Sequence, residues 1–574
     1  MTPPAAAPAS LSPPRWLHPL LLALAITLGL LRTLAYRDLQ GGDSVSYLDI
    51  ASSYARGDFA QAVNAFWSPL YSWLLAAWLA VLRPRSDWEF AAVSWLGFAI
   101  YLASIACFLF FWRALDGWRN TDTSGDAGSS GMPSAAWLLL GYALFLWATL
   151  DLGRLTFNPA DLLLACCAYL AAGVLVRLRA RDFARHNFGL LGLALGLGYL
   201  AKTAMLPLSA VFLVVALRLV GGARAGLRRF VPTAVCFLAM AVPWIAAISL
   251  HQGRLTIGES GPINYAWHVN GAPMFYWQGS PPGSGTPAHP PRQVFARPAM
   301  YEFAQPVPGT FPVWYDPSYW NQGLRPRFAW QPQWSALRTT LPQIGPVLRT
   351  RADLLVTCLV LLLAGGAAAV KHLARGWFLL LPSAAALAMY SLVHLERRYI
   401  AAFVVLFWAG IFSSLRFPSG ERLSRAATGL AILVLAATLA PLAANLPGEL
   451  RDLRERPERV HWHLAQELER RGARPGDRIL MLGGALWNAP LARLARVQIA
   501  AEIPWTEAPA FWSADRSTQA AVMDTASSLG IRLVVADCGQ CSPPPACTRF
   551  PNTSRLASAD QRSFYVCDLD SFRH

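Results

Sequence analysis

The chain has 574 residues, 55% of them hydrophobic and only 14% charged, with a mean hydropathy of +0.35. That balance excludes an ordinary soluble enzyme and a disordered chain, and points to an α-helical polytopic membrane protein. The formal charge of +16 would suit nucleic acid. The arginines, however, fall in short clusters between apolar stretches, which is a topology signal, and no nucleic-acid-binding motif is present.

Residues 1–14 are rich in Pro and Ala and are expected to be disordered. The apolar stretch that follows lacks a small-residue cleavage site, so it is expected to stay as an anchor. About eleven stretches reach helix length for a bilayer: 17–36, 88–112, 135–151, 160–176, 187–201, 203–219, 230–250, 352–370, 376–394, 399–415 and 427–445. With the N-terminus inside, the inner loops run Arg113–Arg119, Arg177–Arg185, Arg218–Arg229, Lys371–Arg375 and Arg416–Arg425, and each is basic. The outer side then receives 37–87, 152–159, 251–351, 395–398 and everything after 446. The expected organisation is a transmembrane domain over 15–446 with outer loops 37–87 and 251–351. An outer α/β domain spans 447–574.

The apolar stretch 67–82 decides this count. If it crossed the membrane, the Arg177–Arg185 cluster would lie outside, against the positive-inside bias. It is also short for a crossing, and Pro69 suits a first helical turn. It is therefore placed as an interfacial helix within the first outer loop.

Residues 120–134 have the composition of a flexible inner linker. The loop 251–351 is rich in Trp, Tyr, Pro and Gly, as in Phe311-Pro312-Val313-Trp314-Tyr315-Asp316-Pro317. A loop of this length is uncommon unless functional; its aromatics suit either sugar faces or the headgroup layer. From about 447 the pattern changes. A helix is expected over Glu458–Arg471 and another around Ser517–Leu529. Strands are expected over Arg478–Leu482, Val497–Ile503 and Leu533–Asp537, which together suggest a small α/β domain. Gly483-Gly484 lacks the full phosphate-binding glycine pattern, so a tight turn is expected there.

Of the nine cysteines, Cys107, Cys166, Cys167, Cys236 and Cys358 fall in apolar spans and suit packing. Cys538, Cys541, Cys547 and Cys567 cluster near the C-terminus. In an oxidising outer compartment they point first to two disulfides of open pairing, with a zinc site and a redox pair as the alternatives.

Several ionisable residues sit where charge is costly and therefore suggest function. Asp43 lies in Gly41-Gly42-Asp43-Ser44-Val45-Ser46-Tyr47-Leu48-Asp49, just past the first span. It suits the role of a carboxylate that engages a substrate hydroxyl, with Tyr47 and Asp49 nearby. Lys202 ends the Gly-rich stretch Gly196-Leu197-Gly198-Tyr199-Leu200-Ala201, and Glu396-Arg397-Arg398-Tyr399 opens a later span; both offer cations for a phosphate. Asp161, after Asp151-Leu152-Gly153-Arg154 and Asn158-Pro159, sits at the start of a helix and suits an N-cap. No His, Cys or acidic spacing calls for a metal, and no cofactor is expected, although a divalent ion is compatible with the reading.

Asp43, the Ser68-Pro69-Leu70-Tyr71 turn, the Gly-rich helix ending in Lys202 and the Arg398-Tyr399 pair resemble GT-C membrane glycosyltransferases. The closest branch is the family 39-like one, which includes protein O-mannosyltransferases and lipid A aminoarabinose transferases. The resemblance covers about 15–420. It implies a GT-C-like fold, Asp43 as the catalytic carboxylate, and donor or acceptor roles for Tyr47, Asp49, Tyr71, Asp161, Lys202, Glu396, Arg398 and Tyr399. The implied activity is hexosyl or pentosyl transfer, with inversion, from a polyprenyl-phosphate sugar to an envelope lipid, glycan or protein. It would act at the outer face of a bacterial inner membrane. Asp43 is followed by Ser44 where members often have a second acid, which leaves donor and acceptor open. The alternatives are a transporter or flippase, or a non-catalytic envelope-assembly protein; no repeated halves or mid-span charges favour a transporter.

Overall fold

The computed structural model describes residues 13–121, 129–153, 159–222, 226–303, 307–539, 541–551, 553 and 563–573. Most of the Pro/Ala-rich start, the centre of the 120–134 linker, and Arg154 and Asn158 lie outside the described residues. The chain folds as two compact units. One comprises 1–32, 97–246 and 329–449, and the other 33–96, 247–328 and 450–574.

The first unit is helical. Over the whole chain, eight helices among the described residues are long and apolar enough to cross a membrane, by length and composition. Every one of the eleven expected stretches is helical. Arg185–Ala201 and Met205–Leu219, however, have 17 and 15 residues, and Ala352–Leu373 is interrupted at Gly366. The helices pack through small residues, as membrane helices do. A Cβ on Gly192 would stand 2.2 Å from the Thr233 carbonyl oxygen, and the Thr233 hydroxyl donates to the Phe188 carbonyl at 2.8 Å. Arg32 forms an ion pair with Glu449 at 2.9 Å. The helix Ser134–Leu146 runs into a π-helical turn, Trp147–Leu152, a widened turn often found near functional sites.

The second unit contains the seven-stranded sheet. Strand Arg478–Leu482 is parallel to Gln498–Ile503 on one side and to Leu533–Cys538 on the other. Ser563–Asp568 and Thr548–Pro551 extend the sheet antiparallel. Its other edge is built by Met300–Glu302 and Arg292–Phe295 from the aromatic-rich loop. That loop is therefore partly strand and shares one hydrophobic core with the C-terminal segment, where Met300 packs with Leu480, Ile503, Val534 and Cys567. Cys538 is bonded to Cys541 and Cys547 to Cys567.

Helices Gly42–Ala55 and Pro69–Leu82 of the first long loop belong to this second unit and pack on each other. In the latter helix Pro69, Tyr71, Ser72 and Leu75 are buried, while Trp73, Val81 and Leu82 remain exposed. One face is thus covered by protein, and an apolar edge is left for a nonpolar surrounding. The helix Ala485–Leu494 packs along Gly42–Ala55. A Cβ on Gly42 would stand 2.7 Å from the Leu486 carbonyl oxygen, a backbone atom, so glycine suits this close approach.

Candidate functional site

In the first unit, three residues distant in sequence come together. Asp161 lies in the first turn of Pro159–Arg179, Lys202 caps the end of Arg185–Ala201, and Arg398 lies in the first turn of Arg397–Ser414. Lys202 Nζ donates to Asp161 Oδ1 at 2.6 Å, and Arg398 Nε is 3.5 Å from Asp161 Oδ2. Lys202 Nζ also lies 3.4 Å from the Tyr399 ring centroid, and the Arg398 guanidinium 5.2 Å from it. Asp161 is buried, whereas Lys202 and Arg398 are partly open. Two cations thus share one buried carboxylate beside the N-termini of two helices. Both features favour an anion. A narrow cleft behind the cluster is lined by Thr149 and Gly153 at the π-helical turn, and by Tyr169, Ala402 and Phe403. Glu396 is exposed and lies 3.4 Å from His394.

In the second unit, Asp43 sits in the first turn of Gly42–Ala55, where a carboxylate is favoured by the helix dipole. The indole N–H of Trp314 donates to Asp43 Oδ1 at 3.0 Å. Tyr47 points its ring edge-to-face at Trp67 and Tyr71, with centroids 4.9 and 5.2 Å away. Tyr47 and Tyr71 are buried, so they build the floor under the helix. Asp49 is also buried, with both oxygens engaged. It accepts from the Thr310 amide at 2.7 Å and hydroxyl at 3.0 Å, and from Arg493 Nη1 at 2.8 Å. Arg493 grips Glu89 and Ser52 as well. These contacts tie the helix Gly42–Ala55 to Thr310 and Arg493.

Trp314 and Arg493 escaped the sequence reading as individual residues. Trp314 stood in an aromatic-rich loop among many equals, and Arg493 looks like any helix arginine. Farther along the sheet, Glu502 is buried. It accepts from the Ala485 amide at 2.9 Å and from the Tyr276 hydroxyl. Burial, opposed by these hydrogen bonds, pushes its carboxyl up to about 7. Gly483-Gly484 is covered by the Trp505 indole. Among the described residues, no group of three His, Cys, Asp or Glu side chains is placed to hold a metal ion.

The sequence matches no protein-family model and no curated protein sequence. Among solved structures, the chain is similar to ArnT from Cupriavidus metallidurans in the apo state, at 14% identity, 95% coverage of this chain, 97% of that one, and a TM-score of 0.38. It is similar to the arabinofuranosyltransferase AftD from mycobacteria, at 13% identity, 97% and 40% coverage, and a TM-score of 0.46. It is also similar to the oligosaccharyltransferase AglB from Archaeoglobus fulgidus, at 12% identity, 91% and 69% coverage, and a TM-score of 0.40. At these identities and TM-scores the functional reading rests on the residues of the chain itself.

Proposed function

We propose that the chain is a GT-C-type glycosyltransferase. It moves a sugar from a polyprenyl-phosphate donor to a lipid, glycan or protein acceptor at the outer face of a bacterial inner membrane. The observation that carries this reading is the cluster of Asp161, Lys202, Arg398 and Tyr399. Buried charge in an apolar helical unit is costly and persists where it has work to do. Two cations gathered at one acid, beside the N-termini of two helices, are groups that suit a phosphate.

In the proposed reaction the acceptor hydroxyl attacks the anomeric carbon of the donor. The C–O bond to phosphate breaks, and its electron pair leaves with the polyprenyl phosphate. The hydroxyl proton passes to Asp43 or to water. Lys202 and Arg398 offset the charge on the leaving phosphate, and Asp43 orients the hydroxyl. A single displacement of this kind inverts the sugar.

A deletion strain tests the reading. Mass spectrometry of its lipid and glycan extracts should show loss of a sugar-bearing species. The wild-type gene should restore it, and Asp43→Asn should lower its formation by about two to four orders of magnitude. Full restoration by Asp43→Asn would overturn the assignment.

A further inference from the structure

We infer that Trp314 is a positioning residue for Asp43, and that the sheet of the second unit holds Trp314 in register for that role. This rests on the reading of Asp43 as the reacting carboxylate.

The indole N–H of Trp314 meets Asp43 Oδ1 at 3.0 Å, so one oxygen of the carboxylate is tied to the protein. The indole has little freedom to move. Its own residue's carbonyl accepts from the Ser46 hydroxyl and from Trp67 Nε1, each at 2.9 Å. Its ring is stacked on Trp267, with centroids 5.9 Å apart and planes 20° apart. Trp67 meets it edge-on at 5.8 Å, and Phe275 packs at 5.4 Å. Ser46 lies on the same helix as Asp43, so helix and indole are fixed to each other at two points.

The turn that carries Trp314, Pro312–Tyr315, hangs from the sheet. The Ile499 amide donates to the Thr310 carbonyl at 2.9 Å and the Phe303 amide to the Ala500 carbonyl at 2.8 Å. Gln498 Nε2 donates to the Gly309 carbonyl at 3.2 Å. From the other side, Leu486 abuts Gly42, the residue before Asp43. A carboxylate fixed in plane and distance meets a hydroxyl already oriented, whereas a freely rotating one must be oriented at each turnover. Supporting contacts of this kind decide whether a site is tight or loose. The arrangement gives the C-terminal segment a part in the reaction, as the frame for Asp43.

The test compares wild type, Trp314→Phe, Asp43→Asn and the double variant in membranes of the deletion strain. The strain's own polyprenyl-linked sugar pool serves as donor, and the sugar-bearing product is counted by mass spectrometry. Trp314→Phe keeps the ring and removes the N–H. It should lower turnover about 10- to 100-fold, with the half-saturating acceptor level changed less than about threefold, as expected for lost orientation. In the Asp43→Asn background the same substitution should change the residual rate less than about threefold, because coupled residues are not additive. An equal loss in both backgrounds, or an unchanged rate in Trp314→Phe alone, overturns the proposal. A wild-type rate in Asp43→Asn overturns the reading of Asp43 instead, and is a separate outcome. Should Trp314→Phe fail to accumulate, Ser46→Ala removes one of the two donors on the Trp314 carbonyl and leaves the aromatic packing intact. It should lower turnover about 3- to 10-fold at unchanged half-saturation, and no loss of turnover there overturns the proposal.

Discussion

Asp161, Lys202 and Arg398 were each legible in the sequence as a charge in a costly place. What could not be read was that they belong together, because nothing local in a sequence records a contact between three helices. Asp161 also reads as an N-cap in the sequence, but the helix begins at Pro159, so Asp161 sits inside its first turn and accepts from Lys202 at 2.6 Å. Under the proposed function, Arg398 brings a planar guanidinium fork to the donor, its Nε 3.5 Å from Asp161. Arg398→Ala should raise the half-saturating donor concentration about 10- to 100-fold, the worth of a hydrogen bond to a charged group. Turnover at saturation should fall less. Arg398→Lys should recover part of the loss, since it restores charge but not the planar fork. A donor titration in isolated membranes checks this, and unchanged half-saturation in Arg398→Ala would remove it from the donor site.

At the scale of elements, the C-terminal segment was legible where its pattern is strong. Strand Arg478–Leu482 lies where expected, and the helix Arg516–Ser528 is displaced from its expected bounds by one residue at each end. The helix Ala485–Leu494 was missed because Gly483-Gly484 and an internal Pro490 resemble a loop. The strands Arg292–Phe295 and Met300–Glu302 were missed because prolines and charges break their alternation. Those overlooked elements join the loop to the sheet, and Glu502 sits among them, accepting from Tyr276 and Ala485. Its carboxyl is pushed by burial from an ordinary 4.5 up to about 7. The folded form therefore keeps a proton that the unfolded chain has lost. Its contribution to stability is full below about pH 4.5 and is lost as pH rises through about 7. His461 acts in the opposite sense. Burial holds it down to about 4, so its contribution is present above about 6.5 and is lost as pH falls through about 4. The two slopes oppose each other up to about pH 6.5, so the thermal midpoint of the purified protein should fall only as pH rises beyond that, and Glu502→Gln should flatten that fall. A fall of the same size in Glu502→Gln would show that another group is responsible.

At the scale of the whole molecule, charge and span length assign 37–87, 251–351 and the segment after 446 to the outer side, with the short loops 152–159 and 395–398. The second compact unit comprises 33–96, 247–328 and 450–574, whereas 329–351 of the expected outer loop falls in the first unit. The helix Pro69–Leu82, with 14 residues, belongs to that second unit. Arg85, whose side chain is 89% exposed, offers a reporter position. In Arg85→Cys a membrane-impermeant maleimide should label intact cells from outside, and labelling only after the inner face is opened would invert the topology. The exact number of crossings was less legible, because short and Gly-broken helices sit at the margin of bilayer length. The central claim, transfer of a sugar from a lipid phosphate with Asp43 at the acceptor, is met most directly in purified protein reconstituted into vesicles. A polyprenyl-phosphate sugar labelled in the sugar is supplied with the acceptor found in the deletion strain. The label should leave the donor and appear in product with wild-type protein, and almost none should move with Asp43→Asn. Equal transfer by the two proteins, or none by the wild type, would contradict the account.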